Sequence, residues 1–231
     1  MTWLDELSDV AEDACYELFH ENSKIGRHVR PLPLARSGAP SSRERADEQY
    51  PIFAVGDADL AAGPIAGLIG KAAGPLKPGR LTTRQLAALL PRSMAADGKL
   101  VEILFHVRGV DGLPAGLFRL GEKGEARLMR RGDFGKELAR MLLAPELAGT
   151  PLQIVIAGSF AQAAALSGER GYRRVLLAAG ARSETIRLTA TALGLGIATT
   201  TDFYDRELDG LLGLDGIDVG ALVLIAVGGA G

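Results

Sequence analysis

Apolar residues recur at three- and four-residue spacing near the start of the chain: Trp3, Leu4, Leu7, Val10, Ala11, Ala14, Cys15, Leu18 and Phe19. That period predicts an amphipathic helix over 2–21. Thr2 is placed to cap it, and acids fill its first turns, as the helix dipole favours. The pattern breaks at 27–50, where Arg27, Arg30, Arg36, Arg43 and Arg45 stand among Pro31, Pro33, Gly38 and Pro40. Proline and glycine interrupt both helix and strand periods, so this stretch reads as an extended arm or connector. The chain therefore divides into an N-terminal acidic helix and Arg/Pro-rich arm, 1–50, and a main domain, 51–231.

Within the main domain the two periods alternate. Pro51–Val55 reads as a short strand, and Thr82–Leu90 as a helix capped by Thr82 or Thr83. Leu100–Val107 alternates as a strand. Leu117–Leu120 and Ala126–Met129 form a hairpin around Gly121–Gly124. Asp133–Leu143 is a helix with Pro145 just beyond its end. Leu152–Ile156 is a buried strand, Gly171–Leu195 contains a long, mostly apolar helix, Asp205–Leu212 is a short helix, and Ala221–Val227 is a last buried strand. Strands and helices mix without a regular βαβ rhythm, which predicts the α+β class.

Charge narrows the class of partners. With 26 Lys+Arg against 28 Asp+Glu the formal net charge is -2. Such a balance supplies no general field for nucleic acid phosphates or an anionic membrane, so neither is expected as a partner. The acids Asp5, Glu6, Asp9, Glu12, Asp13, Glu17 and Glu21 oppose only Lys24 at the N-terminus, and a charge run of this kind reads first as a solvated face. The single cysteine, Cys15, excludes an intrachain disulfide and suits a reducing compartment. The acidic N-terminus is unlike a signal peptide, and the apolar run 219–231 falls short of the ~20 residues a bilayer span needs. A soluble, cytoplasmic protein is the expectation.

General chemical motifs are missing. Gly70-Lys71 is followed by Ala72, not a hydroxyl residue, so no phosphate loop is formed. Gly194-Leu195-Gly196 follows a helix and lacks the third glycine of a dinucleotide fingerprint. His20, His28 and His106 show no metal-ligand spacing, and His106, inside an alternating strand, reads as a packed histidine. Gly158-Ser159 lacks the second glycine of a nucleophile elbow.

A family resemblance is carried by the last third of the chain. Arg170-Gly171-Tyr172-Arg173, Leu177 to Gly180, LTATALGLGIATTTDFYDRELDGLLGLDG (188–216) and ALVLIAVG (221–228) together resemble the FMN-dependent nitroreductase superfamily. FHENSK (19–24) and GLPAGLFRL (112–120) are similar to stretches of its SagB-type branch, the dehydrogenases of peptide natural-product pathways. The resemblance implies an α+β nitroreductase-like fold with a central, mostly antiparallel sheet flanked by helices. It also implies a dimer, with itself or with a homologue, and FMN in a cleft at the dimer interface. The implied activity is oxidation of peptide thiazolines and oxazolines to azoles, with a peptide substrate or a biosynthetic protein as partner.

At the positions that carry that chemistry the sequence departs from the resembling pattern. The family's Arg-x-Ser-x-Arg phosphate clamp corresponds to IGKAAGPLK (69–77), which has Lys71 and Lys77 but no arginine and no serine; Lys71 or Arg80 can act as point charges toward the phosphate, or be ordinary surface charge. The loop beside the flavin reads SMAADGKL (93–100), with Glu102 matching the glutamate that follows. The Lys-Tyr pair of the branch is Leu166-Ser167, and a Gln-Asn on the long helix is Glu184-Thr185. Arg170 and Tyr172 match retained positions. Thr199, Thr200 and Thr201 match the loop along the flavin ring, or else are a β-branched strand entry. Glu184 is the one candidate base, by desolvation in an apolar cleft; a pair with Arg187 or Arg182 is the alternative. Two functions follow. One is an FMN-dependent oxidoreductase with an unusual site. The other is a catalytically degenerate subunit or binding module that partners an active flavoenzyme. In both, FMN is expected to be weakly bound by the protein alone, or absent from it.

Overall fold

The computed structural model describes residues 74–90, 100–121, 124–168 and 170–230. The expected N-terminal helix, the Arg/Pro-rich arm, the strand at 51–55, Lys71 and the loop 93–99 lie outside them. At the centre is a six-stranded sheet: β1 Val101–Val107, β2 Gly116–Leu120, β3 Ala126–Arg131, β4 Leu152–Ser159, β5 Leu195–Thr200 and β6 Val219–Ala230. The strand order is β3-β2-β1-β4-β6-β5, and every neighbouring pair is antiparallel. Helices α1 Thr83–Leu89, α2 Gly135–Met141, α3 Phe160–Ser167, α4 Arg170–Ala192 and α5 Asp205–Leu212 flank it, with a 3-10 turn at Pro145–Gly149. This is the expected α+β class.

The two faces of the sheet are buried against different helices, and the strand period decides which residue goes where. In β1, Val101, Ile103, Phe105 and Val107 point to one face, and Leu104 and His106 to the other. The first face packs on Leu86 and Leu89 of α1, Phe160 and Ala163 of α3, and Val175, Ala179, Ile186 and Ala190 of α4. The second packs on Leu138 of α2, Leu147 of the 3-10 turn and Leu208, Leu211 and Leu212 of α5. β4 lies between β1 and β6 and is buried at all eight positions, which explains its mostly apolar run, interrupted by Gln153. Fully burying each of Ile154, Ile156 and Ile225 removes a side chain worth about 1.5–3 kcal/mol from water.

Local rules set several ends. Thr82 caps α1 through its hydroxyl, which accepts from Gln85 N at 3.1 Å, while Gln85 Oε1 accepts from Thr82 N at 2.8 Å. Asp133 Oδ1 accepts from Gly135 N at 2.9 Å, so the predicted helix at 133–143 begins two residues later. Gly194, at φ 69, turns the chain from α4 straight into β5. The segment 194–201, expected to run from helix to loop, is thus mostly a strand at the sheet edge. α3 had no counterpart among the predicted elements. It starts at Ser159, which is buried and makes no side-chain cap bond, so Gly158-Ser159 is a strand-to-helix junction with an inaccessible hydroxyl.

A bulge in β6 opposite Ile156/Ala157 leaves a donor to be met. Asp209 of α5, 3% exposed, accepts from Ala221 N at 2.8 Å and so fixes α5 on the sheet.

Candidate functional site

Sheet register gives the expected site residues among the described ones an address. β4 runs from Leu152, opposite Val227, to Ser159, opposite Val219. Arg80 belongs to the first end: Leu81 N donates to Gly109 O at 2.8 Å, and Gly79 lies against Gly229. Arg170 belongs to the other end, where α4 starts beside α3 and Val175 abuts Gly158. The eight residues of β4 separate the two ends, about 24 Å at ~3.4 Å per step. Thr199 and Thr200 sit between them on β5, an edge strand, paired with Ile225 and Leu224. Their side chains point to opposite faces. Thr199 and Thr201 are exposed, and Thr200 Oγ1 accepts from Asp202 N at 2.9 Å. One chain does not bring these three groups together.

Electrostatics further separate the candidates. Arg80 Nε holds Asp111 Oδ1 at 2.6 Å, with both side chains more than half exposed. Glu184 lies on the side of α4 turned from the sheet, its side chain 53% exposed, and makes a two-point pair with Arg187 at 2.7 Å. The Arg187 hydrogen bond holds the Glu184 carboxyl below its ordinary range, against a smaller upward push from burial. The expectation of a desolvated carboxylate with a raised pKa is corrected here, and the alternative pair with Arg187 is what forms. Ser167 accepts a hydrogen bond from Arg174 Nη1, and its neighbour Leu166 is 55% exposed. Tyr172 stacks on Phe160 at 5.6 Å between centroids, as a packing residue. Glu102 Oε2 forms an ion pair with Arg119 Nε at 3.5 Å, and neither of these buried atoms makes a hydrogen bond. A surface depression of about 360 Å³ beside α5, lined by Arg206, Asp209, Gly210 and Asp215 among others, includes none of the expected residues.

The sequence of residues 111–229 matches the profile of the Nitroreductase family. The chain belongs to the nitroreductase family. A family relative from Methanocaldococcus jannaschii is 31% identical over 114 residues, 48% of this chain and 58% of the relative. The chain thus spans little more than half the length of that curated relative. A chain of the Escherichia coli microcin synthetase McbBCD complex, solved with truncated pro-MccB17 bound, superposes with a TM-score of 0.69. It is 16% identical and covers 100% of this chain and 98% of that one. A family structure from Desulfovibrio desulfuricans in complex with FMN gives a TM-score of 0.53, with 15% identity, over 72% of this chain and 86% of that one. At these identities the two structures share the fold.

Family members generally bind FMN. Among the described residues β5 is an edge strand whose outer side is bridged at Gly196 by Gly74, and exposed Thr199 and Thr201 lie beyond that bridge, hydroxyl groups of a kind that suits a flavin ring. A phosphate clamp does not form among the described residues of one chain. Arg80 is held by Asp111, and Arg170 is at the far end of the sheet. The described part of a single chain therefore does not form a complete flavin cradle.

The structure also shows a polar cluster that spacing did not reveal. His106 is 2% exposed and Gln153 0%. They lie 47 residues apart and meet because β1 and β4 pair them directly, His106 Nδ1 to Gln153 Oε1 at 2.7 Å. The signal was present only as a lone glutamine inside an apolar run.

Proposed function

We propose that this chain is a SagB-type member of the nitroreductase family that works as a subunit. In this reading it is an FMN-dependent oxidoreductase acting on peptide azolines, with a flavin site completed by a second chain, either a copy of itself or a homologue. The observation that carries the reading is the distribution of the candidate cofactor residues. Thr199–Thr201, Arg80 and Arg170 occupy three separate places on one protomer, which is what a cleft shared between chains requires. The full-length superposition on a chain of a peptide-modifying synthetase supports the same assignment. Oxidising an azoline ring to an azole removes a hydride equivalent and a proton, so the assembly must supply both an electron acceptor and a base.

The second reading, a degenerate subunit that serves an active flavoenzyme, is favoured by one specific observation. The groups that would take the proton are occupied or replaced: Glu184 is paired to Arg187, and Leu166-Ser167 stands at the Lys-Tyr position with Ser167 held by Arg174. The experiment is equilibrium dialysis with FMN on the protein alone and mixed with its partner proteins, followed by turnover of a thiazoline peptide. Flavin retained only in the mixture, with turnover lost when this chain is left out, is the expected result. Stoichiometric FMN surviving dialysis of the protein alone overturns the subunit reading. Flavin and turnover in a partner that needs this chain, with no flavin assigned to it, establishes the degenerate one.

A further inference from the structure

The polar cluster around His106 is wired in one direction. Gln153 Nε2 donates to Thr150 O at 2.7 Å, a carbonyl that can only accept. Gln153 Oε1 is therefore the acceptor toward His106, and His106 Nδ1 carries the proton. Nε2 is then a lone-pair acceptor, and it receives Phe134 N–H at 3.0 Å. Phe134 is the N-cap residue of α2 and has no side-chain cap bond of its own. A neutral histidine in a single tautomer thus seats the start of α2.

The other end of α2 is tied to the segment that follows β5. Tyr204 N donates to Met141 O at 2.8 Å, Leu143 N donates to Asp202 O at 3.1 Å, and Leu142 forms a bridge with Phe203. α2 therefore spans from the buried histidine to residues 202–204, directly beyond Thr199–Thr201.

We propose that His106 is a proton-sensitive positioning residue: when neutral it docks α2, and through α2 it holds the 202–204 segment; when protonated it releases both. A second N–H at Nε2 would face Phe134 N–H, donor against donor, at 3.0 Å. The acceptor within reach is Asp133 Oδ1, at 3.6 Å. Asp133 is already bonded to Arg108 Nε at 2.9 Å and to Gly135 N at 2.9 Å, so turning to His106 costs α2 its second N-terminal bond. The charged groups facing the ring are Asp133 before α2, Arg108 after β1 and Glu137 on α2, with Arg130 of β3 over the Phe134 ring at 4.6 Å. Burial outweighs the Gln153 hydrogen bond and the two carboxylates and keeps the ring neutral to lower pH than a free histidine. The coupling stands on this geometry alone; only its bearing on a flavin rests on the function proposed above.

The test needs neither flavin nor substrate. His106 is titrated by NMR in the whole protein while amide exchange at Leu143 and Tyr204 is followed over the same pH range, corrected for intrinsic rates. Protection at both amides falls on the order of ten-fold or more in step with His106 protonation, because a buried donor loses its partner. In His106→Gln, whose amide oxygen reaches the Phe134 N–H and does not titrate, protection stays flat across that range. Constant protection through the histidine titration overturns the proposal, as does a histidine that stays neutral until the whole protein unfolds. The wild-type titration decides the matter by itself if the variant does not fold.

Discussion

Gly171 tests how closely α3 and α4 are required to approach. A Cβ at this position would stand 2.3 Å from Ala163 O, 2.4 Å from Ala163 C and 2.8 Å from Ala164 N. All three are backbone atoms of α3, so no side chain can swing away, and the first turn of α4 must shift. Forcing extra volume into such a contact costs typically 1–3 kcal/mol. Alanine also recovers about 1 kcal/mol of helix propensity relative to glycine. Taking ~3 kcal/mol for a purely backbone clash leaves a net destabilisation of about 2 kcal/mol for Gly171→Ala. With a urea slope of about 2 kcal/mol/M, the midpoint falls by about 1 M. Gly210→Ala in α5 is the control, because nothing lies within 4 Å of its Cβ; its midpoint stays level or rises. Urea unfolding followed by circular dichroism reads both variants. A Gly171→Ala midpoint equal to or above wild type refutes the close approach, because propensity alone would then account for the change.

Other expectations follow from particular contacts. Stability falls as pH drops below 6.5, the ordinary histidine value, because His106 is held neutral in the folded protein and the unfolded chain binds the extra proton. Thermal melts from pH 8 to 5 check the sign, and His106→Gln flattens that part of the profile. Asp133 acts at lower pH. Burial raises its pKa, but the Arg108 and Gly135 hydrogen bonds with the nearby charges prevail and leave it below 3.8, so its contribution is lost only under more acid conditions. Asp209→Ala leaves Ala221 N–H buried without an acceptor and costs about 1–3 kcal/mol, measured by urea unfolding; a change near zero removes Asp209 from the account. Leu177 is 74% exposed on the outward side of α4. If that side joins two chains, Leu177→Asp lowers the mass seen by light scattering to that of a monomer, whereas a wild-type monomer at all working concentrations defeats the dimer.

Much of the order of elements was legible in the chain. The 2-residue period at 100–107 and the buried runs at 152–156 and 221–227 are β1, β4 and β6; β1 starts one residue later than predicted, and β4 and β6 extend beyond their predicted cores. The short helix at 205–212 appears with those bounds, and of the two cap candidates, Thr82 and Thr83, Thr82 caps α1. These features are local. Period, cap and turn chemistry act within one or two turns of chain, so the residues that decide them are neighbours in sequence. Gly194–Thr201 was harder, because a strand that starts directly after a helix has a short pattern, and pairing with β6 decides its state.

What only the tertiary structure decided is which distant residues share a place. Strand register put His106 beside Gln153 and set the neutral tautomer; nothing in the spacing of 47 residues required it. The same register put Arg80 and Arg170 at opposite ends of the sheet, although the linear sequence offers both as candidates for one binding site. Glu184 was a base or half of an ion pair until its face of α4 was known; with the other face buried on Ile186, it turns to Arg187. The sequence by itself determined most of the elements, the α+β class and the family, because hydrophobic period and short motifs are written in consecutive residues. The site belongs to the tertiary structure, because pairing, burial and charge partners are relations between residues far apart in the chain.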